Sequence, residues 1–446
     1  MVLSSRLFIF RRLAVAAFAV AWLVIAGDCS RAYCMVMGQA ALNDPTDCRR
    51  SNQMRDNDET LMRLREAPTH FRLMTGRYVA MVQAARGYQC TGTVTVGFDG
   101  YHYFQTGRGD DPGILELVPT LSRLTGVSLA ATYDISIICF IAGGLFIGYA
   151  GFWKLYPERR LRWIGAGIFL CLGVAEARVA DEYMFQISPL IAGIPWLLYF
   201  SLARRPYALT VSAATLAFLC SWCSLVRAGT IPICMTFLVA MFFIRRHVQR
   251  PLVPCLLLIL ACIPSVIFEQ SLIARRDAAL GKVGETATAP DSHVVWHTLY
   301  IGLGFIPNSE VPEYRDAIAG DKARSIDPAA IYASARYETI IKHEVWSLVK
   351  RKPMLVIGVL TVKASIVVFL ALILLYPARR LMFAESALVW FDSALILTMG
   401  MSAMNAIVAV PRASYLLAFL CLGFLYSAIK LCRAQYQSSL SRLAAI

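Results

Sequence analysis

Charge is scarce in this chain: Asp, Glu, Lys and Arg together make up 16% of its residues, and the acidic ones number 29 against 43 basic. Several chemical signatures are missing as well. There is no Walker A phosphate loop and no Gly-x-Gly-x-x-Gly after a strand, the backbone cradles that soluble nucleotide sites use. The Gly-x-Ser-x-Gly elbow of serine hydrolases is absent. Thirteen cysteines occur without the spacing of a zinc site. The two halves of the chain do not repeat with inverted topology, as the halves of many secondary transporters do.

What the chain has in abundance is apolar length. Fifty-eight per cent of the residues are hydrophobic and the mean hydropathy is +0.57, in runs long enough to cross a hydrocarbon core of roughly 30 Å. Spans are expected at 7–27, 128–153, 162–179, 185–203, 207–226, 230–244, 251–268, 354–376, 383–410 and 413–430. Each should be helical, because lipid offers backbone N–H and C=O groups no other partner. The fold class expected is an all-α polytopic membrane protein with about ten transmembrane helices and two outer-face lobes. Its divisions are a first span (1–27), a first lobe (28–127), spans two to seven (128–268), a second lobe (269–353) and spans eight to ten with a tail (354–446). Arg6, Arg11 and Arg12 before an apolar run ending at Ala26 and Gly27 also fit a signal peptide. In a multi-span chain an uncleaved anchor is the expected form.

The formal charge of +14 is explained by location. Residues 27–127 hold eleven basic and eleven acidic side chains, and residues 269–353 hold the same numbers, so the whole excess lies outside the two long loops. It gathers at alternate span ends: Arg159, Arg160 and Arg162; Arg204 and Arg205; Arg245, Arg246 and Arg250; Arg379 and Arg380; Lys430 and Arg433. That is the positive-inside pattern, which puts both termini in the cytoplasm, both lobes on the far side of a cytoplasmic (inner) membrane, and no nucleic acid among the partners. No cytoplasmic loop is long enough for a nucleotide-binding domain, so chemistry at the far face needs a donor already in the membrane. Cys29, Cys34, Cys48 and Cys90 fall in the first lobe, where a disulfide-permitting compartment allows one or two bridges in three possible pairings, whereas the other cysteines read as small buried hydrophobes.

The first lobe shows helix-like periodicity from Glu59 to Ala85 and strand-like alternation from Thr91 to Val96. Next comes its densest chemical cluster: Asp99, Tyr101, His102, Tyr103, Arg108, Asp110 and Asp111. A carboxylate there can take a proton from a sugar hydroxyl, aromatic faces can stack on sugar rings, and an arginine can orient an anion. The same residues also make ordinary turns and interfacial anchors. Ile114 to Leu124 is an amphipathic run suited to the membrane surface. In the second lobe His293, Trp296, His297 and Tyr300 fall three or four apart, on one helical face that can line a headgroup or sugar site or simply anchor at the interface. His293 and His297 lack the glutamate of a zincin, so no metal is expected.

Cations that break the topology rule are Arg178, Arg227, Lys363 and Arg412. Arg178 has Glu176, Asp181 and Glu182 beside it, and the last two are further candidate carboxylates. Lys363 lies about 13 Å into its span at 1.5 Å per residue, where an unpaired ammonium is costly. Arg412, after Pro411, stands at the outer mouth of the last span. Asp392 lies near the opposite face and is expected to cap or pair within the bundle.

Seven spans with one lobe after the first and another after the seventh resemble the GT-C superfamily of polyprenyl-phosphate-sugar glycosyltransferases, over nearly the whole chain. Phe98-Asp99-Gly100-Tyr101-His102-Tyr103 is similar to an Asp-Gly-x-x-Tyr element of some bacterial members, and Pro411-Arg412-Ala413-Ser414-Tyr415 to a late Arg/Tyr segment. Asp99 stands farther past the first span than is typical, which leaves Asp110 and Asp111 as alternatives for the base. The resemblance implies inverting transfer of a sugar from a lipid-linked (pyro)phosphate donor to a glycan, lipid or protein acceptor, in contact with membrane lipid. Lys363 and Arg412 would then stabilise the leaving phosphate, and the His293 to Tyr300 stripe would shape the pocket. No cofactor is implied, although a divalent cation bridging carboxylate and phosphate is compatible with the chemistry. A polysaccharide polymerase or ligase, a flippase for lipid-linked glycans and a non-enzymatic scaffold are the alternatives.

Overall fold

The computed structural model describes residues 84, 96–98, 103–105, 112–127, 129–179, 182–245, 252–282 and 295–443. In chain order these form strands β1 (Val96–Phe98) and β2 (Tyr103–Gln105), then helices α1 (Pro112–Thr125), α2 (Leu129–Leu155), α3 (Arg159–Val179), α4 (Ser188–Leu202), α5 (Pro206–Val226), α6 (Thr230–Ile244) and α7 (Leu252–Lys282). After them come α8 (Val295–Gly302), α9 (Asp316–Ile326), α10 (Ala335–Arg351), α11 (Pro353–Leu375), α12 (Val389–Val408) and α13 (Ala413–Leu443).

Seven helical segments are long and apolar enough to cross a membrane: Ala131–Leu155, Tyr183–Leu202, Pro206–Val226, Leu252–Lys282, Pro353–Ala378, Ser386–Val408 and Ala413–Ser441. The chain is thus an α-helical, multi-pass membrane protein. Helix α6 is apolar but only 15 residues long, about 22 Å at 1.5 Å per residue. It lies inside the bundle, packed on α5 and α12. Helix α3 has the length of a span but carries Arg159, Arg160, Arg162, Glu176 and Arg178. The span expected at 7–27 lies outside the described residues.

Lipid-facing and inward-facing helices separate clearly. On α7, nine large apolar side chains from Leu252 to Ile267 are exposed, far more than a water-facing helix tolerates. The first part of helix α13 is the reverse, apolar on all sides and almost wholly buried among α3, α4, α11 and α12. Exposed Trp153, Trp163, Tyr207 and Tyr376 stand near the arginine-bearing turns, as an interfacial aromatic belt would.

The bundle has two distinct ends. At the first, Tyr156 Oη donates to the Ile429 carbonyl at 3.0 Å and Arg433 pairs with Glu385 at 2.9 Å. These contacts gather the α2–α3 and α11–α12 turns beside the polar stretch of α13, and Arg245 Nη2 donates to the Ser201 carbonyl close by. The basic clusters of the sequence therefore converge on one end. Just inside it Asp392 accepts from Lys430 Nζ at 3.1 Å, Tyr426 Oη at 3.0 Å and the Phe383 amide at 2.6 Å. It forms a buried ion pair within the bundle, both of its carboxylate oxygens accepting hydrogen bonds, as expected for that aspartate. At the opposite end sit the α8–α10 lobe and the β1–β2 hairpin.

Several expectations change. The all-α class stands, with one short hairpin added: β1 pairs antiparallel with β2, Val96 opposite Gln105 and Phe98 opposite Tyr103. The boundary at 268/269 falls inside α7, which continues to Lys282 because no Pro or Gly interrupts residues 269–280. Leu272, Arg276, Ala279 and Leu280 recur at helical spacing and are buried, and Ala279 and Leu280 pack with Val96 of the hairpin. Helix α13 likewise continues past 430, to Leu443. The amphipathic run at 114–124 forms α1, with Ile114, Leu115 and Val118 buried against α2 and α5. Nine cysteines are described and all are free. Cys139 and Cys171 are exposed rather than buried, on helices whose outer faces are apolar. Cys29, Cys34, Cys48 and Cys90 lie outside the described residues.

Candidate functional site

The lobe docks on the bundle through a glycine. A Cβ on Gly302, the last residue of α8, would stand 2.2 Å from the Val408 carbonyl oxygen and 2.8 Å from that of Ala409. Only a residue without a side chain lets the two backbones come that close. Beyond it Val311, Ala319, Ala323, Tyr337, Ile341 and Val345 form a small core of their own, which extends to Val356 and Val359 on α11.

Lys363 lies at this contact. Its Nζ donates to Ala409 O at 2.7 Å and Val408 O at 3.4 Å, and its side chain is fully buried. These are carbonyls at the C-terminal end of α12, where a helix leaves its last acceptors unpaired and carries partial negative charge. An intramembrane cation with no acidic neighbour in sequence thus has two carbonyl partners in space. It fixes the turn that leads through Pro411 to Arg412.

Arg412 stands at the junction itself. It is exposed, and its guanidinium carbon lies 4.8 Å from the centre of the Tyr314 ring. Tyr314 Oη meets Tyr415 Oη at 3.0 Å, and the Tyr415 ring packs edge-on against Tyr183 at 5.0 Å. Arg227 Nη2 donates to Tyr183 Oη at 2.6 Å. A line of packed tyrosine rings, flanked by Arg227 and Arg412, therefore runs from the α5–α6 turn, past the start of α13, into the lobe. Burial and the neighbouring Tyr415 raise the Tyr314 phenol well above its ordinary range, so it serves as a neutral hydroxyl.

On the lobe side His297 is buried between its partners. Nδ1 is 2.6 Å from Tyr337 Oη, and Nε2 is 3.3 Å from Asp316 Oδ1 and 3.5 Å from Tyr332 Oη. The simplest arrangement has Tyr337 donating to Nδ1 while Nε2–H donates to the carboxylate. The Asp316 side chain remains 73% exposed. The hydrogen bond from His297, helped by the nearby Arg412 charge and opposed by partial burial, holds its carboxyl below the usual carboxylate range.

Of the residues singled out from sequence, the structure brings His297, Lys363 and Arg412 to one junction. Tyr300 belongs to the lobe core, with its phenol pushed up to about 12 by burial. Trp296 meets Trp346 at 6.2 Å and Lys342 at 5.6 Å. Its backbone amide donates to Glu338 at 2.7 Å. The described members of the expected stripe thus stay together on the lobe core: His297 and Tyr300 are buried, and Trp296 packs half-buried beside them against α10. Tyr103 lies on β2. Asp99, Tyr101, His102, Arg108, Asp110, Asp111 and His293 lie outside the described residues, as do Asp181 and the side chains of Arg178 and Glu182. Glu176 is buried and accepts from Ser188 Oγ at 2.9 Å.

Nothing in the sequence sets Asp316, Tyr314 or Tyr183 apart individually, because their partners lie 19 to 101 residues away. Tyr415 had a visible signal, since it closes the Pro411–Tyr415 segment that resembles a late Arg/Tyr element. Among the described residues no group of three His, Cys, Asp or Glu side chains is placed to hold a metal ion. Comparison of the chain with protein-family models, with curated proteins and with solved structures gave no match.

Proposed function

We propose that this chain is an integral membrane glycosyltransferase of the GT-C type, which moves a sugar from a polyprenyl-(pyro)phosphate donor to an acceptor on the lobe face of the cytoplasmic membrane. The observation that carries the reading is the exposed guanidinium of Arg412 at the lobe–bundle junction, beside the hydroxyls of Tyr314 and Tyr415. A phosphate linked to a lipid tail would present its charge at that depth, and a bidentate guanidinium suits it. In this reading ten spans cross the membrane, the first at 7–27. The basic end and both termini face the cytoplasm, and both lobes face outward.

The acceptor oxygen forms its bond to the anomeric carbon as its proton passes to a carboxylate of the first lobe, Asp99, Asp110 or Asp111. The carbon–oxygen bond to phosphate breaks, and its electron pair leaves with the phosphate. Arg412 stabilises the charge that grows there, where a preorganised cation is most effective. Lys363 acts indirectly, by holding the turn that carries Arg412. A divalent cation held by a first-lobe carboxylate would add charge stabilisation for the leaving phosphate.

The test is transfer from lipid-linked sugars in membranes carrying the full chain, with Asp99→Asn, Asp110→Asn and Asp111→Asn singly and combined. Loss of the base should lower turnover by about 10²- to 10⁴-fold, and Arg412→Gln by about 10²- to 10³-fold. Wild-type rates in all three single variants and in the triple variant would eliminate the carboxylate mechanism.

A further inference from the structure

The junction is electrically polar. Arg412 lies on one side of Tyr314, and Asp316, two residues farther along, presents a carboxylate that is 73% exposed. Much buried polar structure serves that carboxylate: His297, 5% exposed at its side chain, gives Nε2 to it and receives Tyr337 on its other nitrogen. Beside it Tyr332 is 40% exposed, its ring 5.4 Å from His297 and 5.3 Å from Tyr337. An oriented carboxylate accepts hydrogen bonds from vicinal hydroxyls or from an ammonium group. A partly exposed tyrosine ring offers a flat apolar face to the C–H face of a pyranose. The low proton affinity of Asp316 makes it a lasting anion and a poor base, which suits it to orienting a ligand.

We propose that Asp316 and Tyr332 form the subsite for the glycosyl group of the donor, and that this subsite accepts neutral or amine-bearing sugars and disfavours acidic ones. The inference rests on the transferase reading for the nature of the ligand, a sugar joined to a lipid phosphate. Its physical content is separate: phosphate goes to Arg412, hydroxyls go to Asp316, and a uronic carboxylate in the same orientation meets a like charge. For carboxylates about 5 Å apart in a partly hydrated site, that repulsion corresponds to roughly tenfold or more in affinity.

The experiment measures equilibrium binding to the full chain in phosphatidylcholine nanodiscs. Four probes are compared: farnesyl phosphate alone and its glucosyl, glucosaminyl and glucuronyl esters. Wild-type protein should bind the glucosyl and glucosaminyl esters about tenfold more tightly than the glucuronyl ester. Asp316→Asn should bring the three esters within about twofold of one another while keeping or improving affinity for farnesyl phosphate, because a negative charge near Arg412 is gone. Since Asp316 is exposed, that variant is expected to fold normally. Equal binding of the three esters by wild-type protein, an unchanged preference in Asp316→Asn, or no binding of any ester would overturn the proposal. The two readings separate cleanly. A preference that depends on Asp316 without transfer to any acceptor keeps the subsite and removes the transferase, whereas transfer with no preference does the reverse.

Discussion

Lys363 and Arg412 show how two cations that look alike in sequence come to differ. Both break the charge rule of the surrounding spans, and both resemble phosphate ligands. Lys363 is buried with its ammonium on two helix-terminal carbonyls, whereas Arg412 is exposed against an aromatic ring. Removing the first leaves a buried carbonyl without its donor, at a cost of about 1–3 kcal/mol. Exposed substitutions usually change stability by no more than about 0.5 kcal/mol. Lys363→Met should therefore lower the thermal unfolding midpoint in detergent clearly, and Arg412→Gln should leave it almost unchanged while weakening the binding of farnesyl phosphate. Equal midpoints for Lys363→Met and the parent would show that the lysine does not hold the α12 turn.

At the scale of elements, the decisive contact is the end of α8 against the end of α12. The Gly302-Leu303-Gly304 segment reads in sequence as the tail of an aromatic helix, with nothing to mark it as a docking point. In space any Cβ at Gly302 collides with backbone rather than with a movable side chain. Gly302→Ala must therefore shift the lobe, the 408–409 turn or both, and overpacking of this kind costs typically 1–3 kcal/mol. Because Lys363 and Arg412 depend on the same turn, the variant should lose both stability and anion affinity. Gly304→Ala is no neutral control, since its Cβ would stand 2.5 Å from the Glu313 carbonyl oxygen. Gly358→Ala is suitable, because nothing lies within 4 Å of its Cβ. Equal farnesyl phosphate binding by Gly302→Ala and Gly358→Ala would mean that the docking contact does not set the geometry of the site.

For the molecule as a whole, the two ends of the bundle differ in kind. One gathers the arginine-bearing turns and the Asp392–Lys430 pair, and the other carries the lobe, the hairpin and the junction. The difference predicts the labelling pattern of single cysteines in sealed vesicles. With the native cysteines replaced, an impermeant maleimide should reach Lys322→Cys from one side only and Arg204→Cys and Arg379→Cys from the other only. Reaction of all three from the same side would contradict a bundle whose lobe and basic turns lie at opposite ends.

Apolar runs of spanning length, and arginines at every second connection, are local properties of the chain, so membrane class, most helix positions and the clustering of charge were all legible in it. The Leu252 helix ran past its expected end because hydropathy marks where lipid stops, while a helix stops only when its own residues break it or lose their packing. Which helix occupies the centre was not legible, because α13 and α7 are similarly apolar and differ only in what surrounds them. Nor was the site: Asp316, Tyr314 and Tyr183 are unremarkable in sequence, and Lys363 looks unpaired there. Hydropathy and charge act on each segment separately, so sequence determined which parts enter the membrane. The contacts of a buried histidine, a helix end and an exposed arginine join segments far apart in the chain, so only tertiary structure decided where those parts meet.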